Sequence, residues 1–207
     1  MGSSNSLYLK NTTVTLLLIV PLLLAIVGLI SGNGGREENG ADQPPIIVLS
    51  EAEGFTFKSG SAEISSEFAV ALRSSVAAIV KELADRYGCD VVEVIGHTDG
   101  QVVRSSSNLD STLAGAIRGS GEALSPGSNA DLGLMRAWAV VDVLKEQPEL
   151  DGLRLVGYSA GHVIDLGGNY STQDDFTDRP ERRRIEIRVR RSPEAEPPAG
   201  NEVGGTR

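Results

Sequence analysis

Arg136 sits in a run whose apolar residues recur at helical spacing. At 100° per residue, Leu132, Met135, Ala139, Val140 and Val143 of the stretch 129–145 share one side, and Arg136 falls among them. An ordinary core helix avoids this, because a charge buried without a partner costs several kcal/mol or more. Arg136 therefore needs either a facing carboxylate or an anionic ligand at the rim of the core. Asp99, in Gly96-His97-Thr98-Asp99-Gly100, is a carboxylate that could pair with Arg136 or accept from a cation. Asn129 lies two helical turns before Arg136 on the same face, with Leu132 between them. The backbone N–H groups beside Asn129 would add an anion site at the helix start without further charge.

Other constellations are weaker. Gly157-Tyr158-Ser159-Ala160-Gly161 has the spacing of a nucleophile elbow. A hydrolase built on it needs an acid and then a histidine well downstream, and His162 is too near to swing back as base. The bland reading is a strand end turning into a Gly-rich loop, and no catalysis is expected. His97, Asp99 and His162 lack a defined ligand spacing, so no metal and no cofactor is expected. The lone Cys89 forms no internal disulfide. The arginines from Arg179 to Arg191 suit either a small anion or pairing with nearby acids. Among them Arg182, Arg184, Arg188 and Arg190 read as solvated strand-face charges.

The elements that position these residues follow from periodicity. Two short apolar runs, Ile46 to Leu49 and Phe55 to Phe57, flank a polar turn and predict a hairpin. Phe68, Leu72, Val76, Ile79 and Leu83 predict a long helix within 64–87, ended by Gly88. Val91 to Ile95 reads as a buried strand that delivers His97-Thr98-Asp99 to the sheet edge. Asn129 suits an N-cap, and Asp131 in the first turn complements the helix dipole, for a second helix over about 130–145. Leu153 to Tyr158 and Arg184 to Arg190 complete the strands, the latter alternating Ile185, Ile187 and Val189 with charges. The order is ββαβαββ, an α+β fold whose mixed sheet carries both helices on one face. Between Gly100 and Ser128 runs a stretch rich in Ser, Gly and Asn, long for a loop, in which Leu113 to Ile117 could form a short helix.

The chain has 207 residues, 40% of them hydrophobic, and a formal net charge of −9. That balance argues against nucleic acid, whose phosphates would be repelled. Residues 12–31 are nearly continuous Leu, Val, Ile and Ala without a charge, long enough to cross a bilayer. Lys10 precedes the run while Arg36, Glu37 and Glu38 follow it, which predicts residues 1–11 in the cytoplasm and the remainder exported. The run exceeds a signal-peptide core and no clear Ala-x-Ala site follows, so an uncleaved anchor is expected. Residues 32–45 read as a flexible linker, 46–191 as one folded domain, and 192–207 as a disordered tail.

Three stretches, Gly96 to Gly100, Asn129 to Ala137 and Arg183-Arg184-Ile185-Glu186-Ile187-Arg188-Val189, together resemble the OmpA/MotB C-terminal-domain family, over roughly residues 55–189. The resemblance implies an OmpA-like fold that binds peptidoglycan at the periplasmic side of an inner membrane. It implies that Asp99 and Arg136 hold the zwitterionic end of diaminopimelate in a stem peptide, with Asn129, Leu132 and Arg183 beside them. Such a ligand needs both charges: a carboxylate for its ammonium, and a planar guanidinium fork for its carboxylate. Three departures stand out. Gly133 replaces the family's usual Ser and loosens the first helical turn, Arg182 replaces a frequent Asn, and 101–128 is longer than the usual connection and could cover the site or admit a modified stem peptide. A MotB-like accessory role beside a polytopic membrane partner is the alternative, and homodimerisation is left open. No Asp or Glu lies between Asn11 and Ser31, so the chain lacks the intramembrane acid that a proton channel requires.

Overall fold

The computed structural model describes residues 43–58, 60–171 and 176–193. The expected membrane anchor at 12–31, nearly all of the linker and most of the tail lie outside these. Among the described residues no helix is long and apolar enough to cross a membrane.

Strand β1 (Ile47–Ser50) leads into a 3-10 turn (Glu51–Glu53) closed by Gly54 at φ 98°, a left-handed conformation that suits glycine. The long helix α1 comprises Ser66–Ala71, a π-helical turn Leu72–Val76 and Ala77–Tyr87. Ser65 caps its start by accepting from Phe68 N at 3.2 Å, and Gly88 at φ 60° ends it. Then come β2 (Val91–His97), the short α2 (Leu109–Ile117), α3 (Asn129–Leu144), β3 (Arg154–Gly161) and β4 (Arg184–Arg190). The sheet order is β1-β4-β2-β3, with β2 and β3 parallel and the other pairs antiparallel.

Register explains why one face is greasy. Ile47 opposes Ile187, Leu49 opposes Ile185, Val92 opposes Val189 and Val94 opposes Ile187. These side chains join Phe68, Leu72, Val76, Val80, Val140 and Leu144 in one core, so α1 and α3 share that face as expected. Each such fully buried side chain is worth about 1.5–3 kcal/mol against exposure.

The hairpin expected from Ile46 to Phe57 is absent. Strand β1 pairs instead with β4 at the far end of the chain, and Phe57 makes only an isolated bridge to Ile64. Phe55 and Phe57 both stand edge-on to Phe68, with 5.4 Å between ring centroids. Aromatic packing on α1 thus outweighs a second ladder. The sheet has four strands rather than five, and the order is βαβααββ. Arg182 and Arg184 also depart from expectation, being 8% and 5% exposed. Arg184 donates to Glu186 Oε1 from Nε at 3.0 Å and from Nη2 at 2.8 Å, and to the Asp165 carbonyl at 3.0 Å, while Arg182 donates to the His162 carbonyl. The β3–β4 connection supplies both carbonyls.

Candidate functional site

The last residues of β2 and the start of α3 converge because two glycines let backbones touch, and β4 starts beside them because it pairs with β2. A Cβ on Gly96 would fall 2.0 Å from the Gly133 carbonyl oxygen, and one on Gly133 would fall 2.7 Å from that of Gly96. Gly133 thus does more than loosen a turn. It seats the first turn of α3 directly on β2, beside Asp99.

The helix begins one residue earlier than expected. Ser128, not Asn129, is the N-cap, its Oγ accepting from Asp131 N at 3.1 Å. This frees the Asn129 amide to donate to the Gln101 carbonyl at 2.9 Å, pinning the chain that leaves Asp99. Thr98 N donates to the Gly161 carbonyl at 2.8 Å, which ties the same turn to the end of β3.

Asp99, Asn129, Leu132, Arg136 and Arg183 all line one cavity of about 650 Å³. Asp99 and Arg136 do not pair with each other, which was one of the two arrangements the sequence allowed. Asp99 Oδ2 accepts from Arg183 Nη1 at 2.5 Å and from Arg179 N at 3.3 Å, while Oδ1 accepts from Gln101 N at 3.3 Å. Arg183 also reaches Glu51 and Asp178. Burial alone would lower the pKa of this guanidinium, but its hydrogen bonds to Glu51, Asp178 and Asp99 outweigh that and raise it. Three carboxylates therefore surround one cation, leaving that part of the cavity with excess negative charge.

Arg136 presents the opposite case. It is 3% exposed, its Nε donates to the Ser61 carbonyl at 3.1 Å, and its guanidinium carbon stands 4.9 Å from the centre of the Phe57 ring. No carboxylate among the described residues forms an ion pair with it, and its terminal nitrogens, Nη1 and Nη2, make no hydrogen bond there. Burial pushes its pKa down, Glu51 and Asp99 push it back up from a distance, and Arg183 adds to the depression. The cation is held by packing and is short of negative charge, which an incoming anion would supply.

Five participants escaped the sequence reading. Glu51 and Asp178 bind Arg183, Phe57 and Ser61 hold Arg136, and Arg104 enters the cavity wall from the long connection. A polar turn, an apolar run and a Ser/Gly-rich loop carried no local signal of these roles.

Ser159 stands inside β3 rather than on a strand-to-helix turn, and its Oγ accepts from Gly161 N at 3.1 Å. Among the described residues no group of three or more His, Cys, Asp or Glu side chains could hold a metal ion. His97 turns away from the cavity to the other sheet face, where its Nε2 lies 3.2 Å from Glu186 Oε1.

No family model matches this chain, and no curated protein matches it. Solved structures similar to it include the periplasmic domain of MotB from Helicobacter pylori, at 20% identity and TM-score 0.43, covering 74% of this chain and 85% of that one. A MotB-like protein from Desulfovibrio vulgaris is 17% identical with TM-score 0.44, covering 71% and 75%. The OmpA-like domain of FopA1 from Francisella tularensis is 18% identical with TM-score 0.38, covering 71% and 75%. These neighbours are MotB periplasmic and OmpA-like domains, the kind that the three sequence stretches resemble. What the cavity can do follows from its own residues.

Proposed function

We propose that this domain binds peptidoglycan without covalent chemistry, gripping the zwitterionic end of a diaminopimelate-type stem peptide. By that grip it tethers the inner membrane, or a complex within it, to the cell wall. The observation that carries the reading is Arg136: a buried guanidinium, stacked on Phe57, that lines a cavity and has no carboxylate paired to it among the described residues. Its fork suits a carboxylate, and the surplus of acids around Arg183 suits an ammonium. A purely structural role would have joined Asp99 to Arg136, whereas Asp99 pairs with Arg183. In this reading Asp99 binds the ammonium, Arg136 takes the carboxylate, Asn129 and Leu132 shape the wall between them, and Arg183 gathers the acids.

Isolated cell-wall sacculi provide the test. The full chain should co-sediment with them, and Asp99→Ala or Arg136→Ala should reduce this to background while circular dichroism stays unchanged. Arg183 keeps Glu51 and Asp178 in the first variant, so the fold should survive. Undiminished sedimentation of both variants contradicts the proposed site.

A further inference from the structure

The long connection between β2 and α3 is a built wall rather than a slack loop. Its two ends are laced across α2: Asn108 Nδ2 donates to the Ala123 carbonyl at 3.0 Å, and Asn108 Oδ1 accepts from Ser125 N at 2.7 Å. Ser125 Oγ donates to the Ser106 carbonyl at 3.0 Å. Gly127 approaches so closely that a Cβ there would fall 2.7 Å from Ser107 N, and its own N–H donates to Asp131 Oδ2 at 2.8 Å. The lacing fastens the connection to the first turn of α3.

This wall enlarges the cavity beyond the clasp. Val102, Arg104, Ser105, Leu124 and Pro126 line the same space as Asp99 and Arg136. About 650 Å³ lies within the roughly 300–1,000 Å³ range of pockets that enclose drug-sized ligands, more than the charged end of one amino acid fills. Arg104 is exposed and has no hydrogen bond or ion pair among the described residues. Beside Arg136, the cavity wall therefore holds a second arginine whose guanidinium has no acid partner among the described residues.

We propose that Arg104 and the laced wall form a second subsite that reads another carboxylate of the ligand, the free terminal carboxylate of the stem peptide. It rests on the proposed function and adds a preference to it. Stems that end in a free carboxylate bind better than stems whose end is amidated or cross-linked. The cavity then holds two carboxylates, one at Arg136 and one at Arg104, and one ammonium beside Asp99.

The test uses two soluble disaccharide-tetrapeptide muropeptides carrying diaminopimelate, identical except that one ends in a carboxylate and the other in a carboxamide. Calorimetry on the full chain in detergent should show the carboxylate form binding about two- to five-fold tighter, the yield of one solvent-exposed charge pair. Arg104→Ala should erase that difference by weakening the carboxylate form alone, and Asn108→Ala should shrink it by loosening the wall. Equal binding of both forms by the unaltered chain, or a difference that survives Arg104→Ala, overturns the second subsite and leaves the proposed function standing. Failure of both muropeptides to bind the unaltered chain overturns the two together.

Discussion

Glu186 shows how a single residue on the far sheet face stabilises the scaffold without touching the cavity. Its neighbours are His97, Arg184 and Arg188, the last donating to Oε2 at 2.7 Å. The His97 ring first, then Arg188 and Arg184, hold this carboxyl well below the usual carboxylate range, against the opposing pull of burial. A depressed pKa stabilises the folded state above the unfolded-chain value of about 4.3. That stability drains away as the pH falls from there towards the folded value. Glu186→Gln should therefore lower the unfolding midpoint at pH 7 and flatten its decline below about pH 4.5, as a thermal melt series across pH would show. An acid limb as steep as the parent's would disprove this role. At this scale the sequence was most readable where chemistry conflicts with its surroundings. Arg136 in an apolar stripe is such a conflict, and so its burial at the rim of a cavity was legible. Glu51 and Asp178 are ordinary acids in polar segments, and only the folded chain brings them to Arg183.

At the scale of elements, the approach of α3 to β2 sets the site. Gly133→Ala would improve helix propensity by about 1 kcal/mol, but its Cβ would meet Ser159 Oγ at 2.4 Å and the Gly96 carbonyl oxygen at 2.7 Å. Overpacking against backbone costs about 1–3 kcal/mol. The variant should melt several degrees lower and bind sacculi less well, because the helix start carrying Asn129 is pushed off Asp99. A melting point equal to or above the parent's would show that the contact is slack. Period and caps located both long helices and all four strands, though not the partner of β1. They failed for Phe55 and Phe57, since a short apolar run reads alike as a strand or as aromatic packing on a helix. The cap slipped from Ser128 to Asn129 because both residue types cap helices well. The wall at 101–128 was visible as excess length and as a short helix near Leu113 to Ile117, but its lacing was not, since that joins residues far apart in sequence.

For the whole molecule, the proposed ligand role of Arg136 implies that its buried charge is kept at the expense of stability. Among the described residues the desolvated charge of Arg136 has no paired acid, so a side chain of similar reach without charge should fit at least as well. Replacing buried ionic groups by apolar ones is often neutral or stabilising, whereas breaking a genuine buried pair costs about 3–5 kcal/mol. The most direct measurement is a paired one on full-length Arg136→Met, comparing its unfolding midpoint and its co-sedimentation with sacculi with those of the parent. The expected result is a midpoint within about 4 °C of the parent, or above it, together with loss of sacculus binding. A fall of about 10 °C or more, or binding that persists without the guanidinium, would contradict it.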